Sequence, residues 1–171
     1  VLDPAKQILS RGTMPPGEET TVRFRAARTG LHTVVATAGY YGRCTALAAT
    51  VPIALWTGGQ FEISRPGATV HFYVPEGINE FSLAAQCLPA TNAAKLTVTD
   101  PDGSVAVEAE TDPHVRSAKL AVPTAGKTGR LWSLKVSAVP GKSYRSLTVV
   151  FDRKLPPAVT LTPAHLFAPA P

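Results

Sequence analysis

The run Lys95-Leu96-Thr97-Val98-Thr99-Asp100-Pro101-Asp102-Gly103-Ser104-Val105-Ala106-Val107-Glu108-Ala109-Glu110 carries the pattern that decides the fold. On both sides of its centre apolar residues alternate with polar ones: Leu96 and Val98 before it, Val105, Val107 and Ala109 after it, with Glu108 and Glu110 between and beyond. A strand sends successive side chains to opposite faces, so this alternation makes one apolar face and one wet face. Between the halves, Pro101 fixes φ at one turn position and Gly103 tolerates positive φ at another. The stretch therefore predicts two antiparallel strands joined by a tight turn.

Working outward, the same period of two returns as Val22, Phe24, Ala26; as Val70, Phe72, Val74; as Phe81, Leu83, Ala85; as Trp132, Leu134, Val136; and as Leu147, Val149, Phe151. Trp132, flanked by apolar residues at every second position, is assigned to the core. Residues 31–38 and 44–56 are more uniformly apolar and small, as expected of strands covered on both faces or lying near an interface. Arg65-Pro66-Gly67, Pro75-Glu76-Gly77, Gly58-Gly59 and Pro140-Gly141-Lys142 mark further reversals, so turns recur every 8 to 15 residues. With no alternation of strand and long helix, the pattern predicts an all-β fold, a two-sheet antiparallel β-sandwich of jelly-roll or Ig-like type. Residues 1–17, rich in turn formers, read as a linker or N-terminal extension, 18–155 as the sandwich, and 156–171 as an extended proline-rich segment docking on its edge.

Composition agrees. Among 171 residues, 44% are hydrophobic and 16 are proline, enough for a core and too much proline for a helical bundle. The longest weakly polar stretch, Ala46 to Trp56, is interrupted by Thr50 and Pro52 and falls well short of the roughly 20 residues that span a bilayer, so no membrane partner is expected. A start at Val1 and an end in Ala168-Pro169-Ala170-Pro171 lead to the expectation of a piece of a longer parent. The net charge of +5 is unevenly spread, +3 over residues 1–59, −6 over 60–112 and +8 over 113–171. A basic final third can face a polyanion. The simpler expectation is local pairing of basic with acidic strands. No nucleic-acid motif is present and the aromatics are not interleaved with the basic residues, which disfavours nucleic acid.

Few residues suggest chemistry. His32, His71, His114 and His165 lack metal-ligand spacing, no Gly-x-Ser-x-Gly occurs, and the Asp100/Asp102 turn lacks the closing Glu of a calcium loop, so neither cofactor nor catalytic set is expected. Cys44 and Cys87, 43 residues apart and without CxxC spacing, are expected to form a disulfide, which points to an extracellular or periplasmic setting; the alternative is two independent buried thiols in small-residue strands. Tyr40 and Tyr41 between glycines, Trp56 before Thr57-Gly58-Gly59, Tyr73 on the polar side of its strand, and Tyr144 are flat rings near loops. Such rings stack on the apolar faces of sugars while a side chain such as Arg43 bonds the hydroxyls, so these six residues are the expected ligand positions. The alternative for each ring is a plug at a strand end.

Four segments taken in order, Val70-His71-Phe72-Tyr73-Val74-Pro75-Glu76-Gly77, Lys95 to Val105, Gly129 to Val136 and Pro156 to Phe167, give a wider pattern. It resembles the non-catalytic β-sandwich domains appended to secreted bacterial polysaccharide-degrading enzymes and, more distantly, the bacterial pre-peptidase C-terminal domain. The resemblance runs from residue 69 to the end and rests on structural motifs, so it implies fold and context and fixes no binding residue. It leads to the expectation of a non-catalytic accessory module that binds a polysaccharide or oligosaccharide, acidic ones included, or packs against the catalytic domain of its parent. A structural or adhesive surface domain with protein partners is the alternative.

Overall fold

The computed structural model describes residues 1–30, 32–36, 50–87, 92–111 and 117–165. The chain divides into two compact units, one over residues 1–48 and one over 49–169.

The first unit contains no strand among its described residues and is held by isolated bridges that pair Leu2 with Ile8 and with Thr33. Residues 1–10 are not a plain linker. Asp3 is buried, its Oδ1 accepts from the Gln7 amide at 2.8 Å, and the Val1 ammonium donates to the Ser10 carbonyl at 2.8 Å. The strand expected over Thr21–Ala26 is not formed, and Val22 and Phe24 are exposed. Alternation states only which face could be covered; without a neighbouring strand its backbone groups have nothing to pair with. Val34, Val35 and Val51 are exposed as well, so the described parts of the uniformly apolar stretches are not covered on both faces. The rest of those stretches, residues 31, 37–38 and 44–49, lies outside the described residues.

The second unit is all-β. Its strands are β1 (Leu55–Trp56), β2 (Gln60–Ile63), β3 (Thr69–Val74), β4 (Glu80–Cys87), β5 (Ala94–Thr99), β6 (Val105–Thr111), β7 (Ser117–Pro123), β8 (Arg130–Ala138), β9 (Leu147–Phe151) and β10 (Ala158–Val159). Two four-stranded antiparallel sheets, ordered β2-β9-β4-β7 and β3-β8-β5-β6, form the layers. The pairs β2/β9, β3/β8, β4/β7 and β5/β6 are nested, as when one long hairpin is rolled up on itself. That is the jelly-roll order and not the Ig one. Among the described residues the first strand of the two sheets starts at Gln60, later than the residue 18 expected from sequence, and residues 158–160 are added at the margin. There β10 pairs with β1, and Thr160 bridges His71 through backbone bonds of 2.8 and 2.9 Å.

Period-two burial builds the core. Phe81, Leu83, Ala85 and Cys87 from β4 and Leu147, Val149 and Phe151 from β9 meet Val70, Phe72, Val74, Trp132, Leu134 and Val136 from the other sheet. Each fully buried side chain of this size contributes about 1.5–3 kcal/mol by leaving water. The aromatic residues meet edge to face across the layers, Phe81 on Trp132 at 5.4 Å and on Phe72 at 5.7 Å. Cys87, at the inward end of β4, is a free buried thiol whose Sγ lies 3.1 Å from Thr111 Oγ1. The structure therefore shows no bridge at Cys87, and its expected partner Cys44 lies outside the described residues. As the last residue of β4 it faces the core.

The Asp100-Pro101-Asp102-Gly103 turn joins β5 to β6 as expected and also holds the loop between β7 and β8. Asp100 Oδ1 accepts from the amides of Asp102 (2.9 Å) and Ser104 (3.0 Å), and its Oδ2 pairs with the Lys127 ammonium. Lys127 also reaches Asp102 at 3.1 Å, and Arg130 takes the other Asp102 oxygen at 2.9 Å. Here the expected local pairing of charge is realised, and an ammonium lies between the carboxylates that in sequence suggest a calcium loop. The Lys127 bond, foremost among several, holds both carboxyls below the usual aspartate range. A depressed folded-state pKa stabilises the protein fully above the ordinary value, about pH 4, and the contribution is lost as the pH falls through the depressed value. Lys127→Met is accordingly expected to lower the melting temperature at pH 7 and to converge on the parent protein as the pH is taken down from about 4 through the depressed values. Thermal melts across that range check this, and an unchanging difference would contradict it.

Candidate functional site

At one end of the sandwich the chain passes from β1 through Thr57-Gly58-Gly59 into β2, alongside the segment leaving β9. Thr57 ties the two together: its amide and its hydroxyl both donate to the Pro157 carbonyl, at 2.8 and 3.0 Å, and its Oγ1 accepts from the Gly59 amide at 3.1 Å. Gly58 and Gly59 have φ of +63° and +93°, a backbone that L side chains rarely adopt, so the tight turn requires glycine. The Phe151 amide donates to the Gly59 carbonyl at 2.8 Å and closes the turn against β9.

This framework surrounds an open depression of about 370 Å³, whose polar lining is Gln60, Asp152 and Arg153 with the glycine backbone, and whose floor includes Val150, Leu155 and Pro157. Asp152 is engaged internally. Its Oδ2 accepts from the Ser82 amide (3.2 Å) and hydroxyl (3.3 Å), its Oδ1 from the Lys154 amide (3.1 Å), and these bonds, the Lys154 amide first, hold the carboxyl below its usual range. The Gln60 amide and the Arg153 guanidinium have no side-chain partner among the described residues. Beside the depression stands Trp56, 62% exposed, next to Thr57 in the chain and paired in β1 with Ala158, which follows Pro157.

The other expected ligand positions lie elsewhere. Tyr73 is half-buried on the outward face of β3, two residues from His71, which burial shifts below the usual imidazole value. Tyr144 is a plug: its hydroxyl donates to the Ile63 carbonyl at 2.6 Å, its ring packs on the core, and burial, with the nearby Cys87 and Glu62 charges, pushes its pKa up to about 12. Its hydroxyl is thereby engaged within the fold. Tyr40, Tyr41 and Arg43 lie outside the described residues, as does His114. Of the three expected positions among the described residues, then, Trp56 is the one whose strand adjoins the lining of this depression, through Thr57 and Ala158. The sequence reading missed Gln60, Asp152 and Arg153 because β9 reaches β2 only through the nested pairing, so residues 92 positions apart meet with no local spacing to announce it.

Among the described residues no group of three or more His, Cys, Asp or Glu is placed to hold a metal ion, and no helix is long and apolar enough to cross a membrane. No protein-family model matches the chain, and no curated protein matches it.

Proposed function

We propose that this chain is a non-catalytic accessory module of a larger extracytoplasmic carbohydrate-active protein, and that it binds carbohydrate at the rim formed by Trp56, Gln60 and Arg153. The observation that carries the reading is an exposed indole next in the chain to the double-glycine turn that borders an open depression of mixed polar and apolar lining. A large aromatic ring left in water offers a flat apolar face, and the exposed amide and guanidinium groups offer hydrogen-bond donors. Sugars present an apolar ring face bordered by hydroxyls, and the two sets match. The jelly-roll architecture and the resemblance over residues 69–171 support the context of an appended module; the free thiol of Cys87 lends the extracytoplasmic setting no support.

A second reading has its own observation. Val51, Ile53 and Leu55 are exposed at alternate positions leading into β1, and residues 50–61 carry no charge. An uncharged apolar run of this kind suits packing against a protein neighbour such as the catalytic domain of a parent chain. Affinity electrophoresis of the full chain in native gels containing neutral or acidic polysaccharide tests the carbohydrate reading. Retardation in at least one polymer-containing gel relative to a polymer-free gel is expected, and equal mobility in all of them would remove it.

A further inference from the structure

The cations of the second unit are not equivalent. Lys127 and Arg130 are neutralised by Asp100 and Asp102, and Lys95 by Glu108 at 2.8 Å. Lys154 turns from the depression and places its ammonium on the Glu80 carbonyl at 3.0 Å. Arg153, like Arg65, Lys119, Lys135, Lys142 and Arg145, is exposed and has no carboxylate within ion-pair distance among the described residues, although Asp152 adjoins it; of these cations Arg153 is the one that lines the depression. The Asp152 oxygens are occupied by Ser82 and by the Lys154 amide, so the one acid in the lining is held by other donors. The result is an open site in which the acid is satisfied and the base is not.

We infer that the preferred ligand at this rim is a carboxylated sugar, a uronate unit within a polysaccharide, whose carboxylate is taken by Arg153 while its ring stacks on Trp56. The inference rests on the carbohydrate reading of the rim and specifies its substrate class. A guanidinium is a planar fork that meets a carboxylate with two parallel bonds, stronger than any bond it makes to a neutral hydroxyl. The Gln60 amide, also without a protein partner, is placed to bond ring hydroxyls and gives the site a neutral contact common to charged and uncharged sugars. Hydrogen bonds to charged groups outweigh neutral ones enough that a uronate should bind about ten- to a hundredfold tighter than the same sugar with its carboxyl reduced.

Calorimetric titration of the full chain with oligogalacturonate and with its carboxyl-reduced counterpart, at about 0.15 M salt so that general attraction is screened, tests this. The acid form is expected to bind about ten- to a hundredfold tighter. Arg153→Gln should weaken the acid form far more than the reduced one and so abolish that preference, and Arg153→Lys should restore only part of it, because an ammonium cannot reproduce the fork. Equal affinity of the parent protein for both oligomers, or equal weakening of both by Arg153→Gln, would overturn the uronate preference and leave the carbohydrate reading standing. Binding of neither oligomer would end this inference. If dextran sulfate then bound without regard to Trp56→Ala, the site would be a simple ion exchanger and the carbohydrate reading would fall with it.

Discussion

Replacing Trp132 with alanine is expected to lower the unfolding free energy by about 3–5 kcal/mol, the usual range for deleting a buried aromatic ring. Trp132 is 2% exposed, stands opposite Phe72 in the β3/β8 register and meets the edge of Phe81 from the opposing sheet. The ring thus joins both layers, and its removal leaves a cavity between rigid sheets that cannot collapse freely. Its Nε1 also donates to the Lys127 carbonyl at 2.9 Å, fixing the backbone of the loop whose ammonium holds Asp100 and Asp102. Trp132→Phe keeps most of the packing and leaves that carbonyl without its donor, so a smaller loss of about 1–3 kcal/mol is expected. Denaturant unfolding followed by far-ultraviolet dichroism measures both. A loss below about 1 kcal/mol for Trp132→Ala would mean that this ring does not join the layers.

Trp56→Ala should behave in the opposite way. The side chain is 62% exposed on a two-residue strand, so its removal should alter stability by no more than about 0.5 kcal/mol. Binding, in contrast, should fall by roughly thirtyfold or more, the effect of truncating an aromatic anchor worth about 2 kcal/mol or more. In native gels the variant should migrate as if the polysaccharide were absent, with a melting temperature equal to that of the parent protein. Retardation equal to the parent's would show that sugar is held elsewhere, with the outward face of β3 around Tyr73 and His71 as the next surface to examine.

The two tryptophans also show what was legible in the sequence and what was not. Trp132 lies in strict alternation with Leu134 and Val136, so a period of two assigns it to the core, and the same reading finds Phe72, Leu83, Val98 and Val149. The Asp100–Gly103 turn is equally local, since its proline, its glycine and its flanking strands lie within sixteen residues. Thr21–Ala26 has the same alternation and forms no strand, because periodicity describes a face and says nothing of whether a neighbour exists to pair with it. Cys87 shows the limit in another way: its spacing from Cys44 allows a bridge or a buried thiol, and only the inward phase of β4, which continues through it, shows the thiol buried and free. The depression was least legible of all. Gln60 and Arg153 become neighbours only because the first and last strands of the rolled hairpin pair, a consequence of the whole topology that no segment carries alone. Tyr144 illustrates the converse, since an aromatic residue near a loop satisfied the sequence criterion for a ligand position while its hydroxyl served the Ile63 carbonyl.

The chain has two tryptophans, one exposed and one sealed in the core, and so yields two indole N–H resonances that report on both regions at once. Titrating the 15N-labelled protein with oligogalacturonate should move the Trp56 indole signal progressively and saturably while the Trp132 signal stays in place. A Trp56 signal that remains fixed at saturating ligand, whether or not other resonances move, would contradict carbohydrate recognition at this rim.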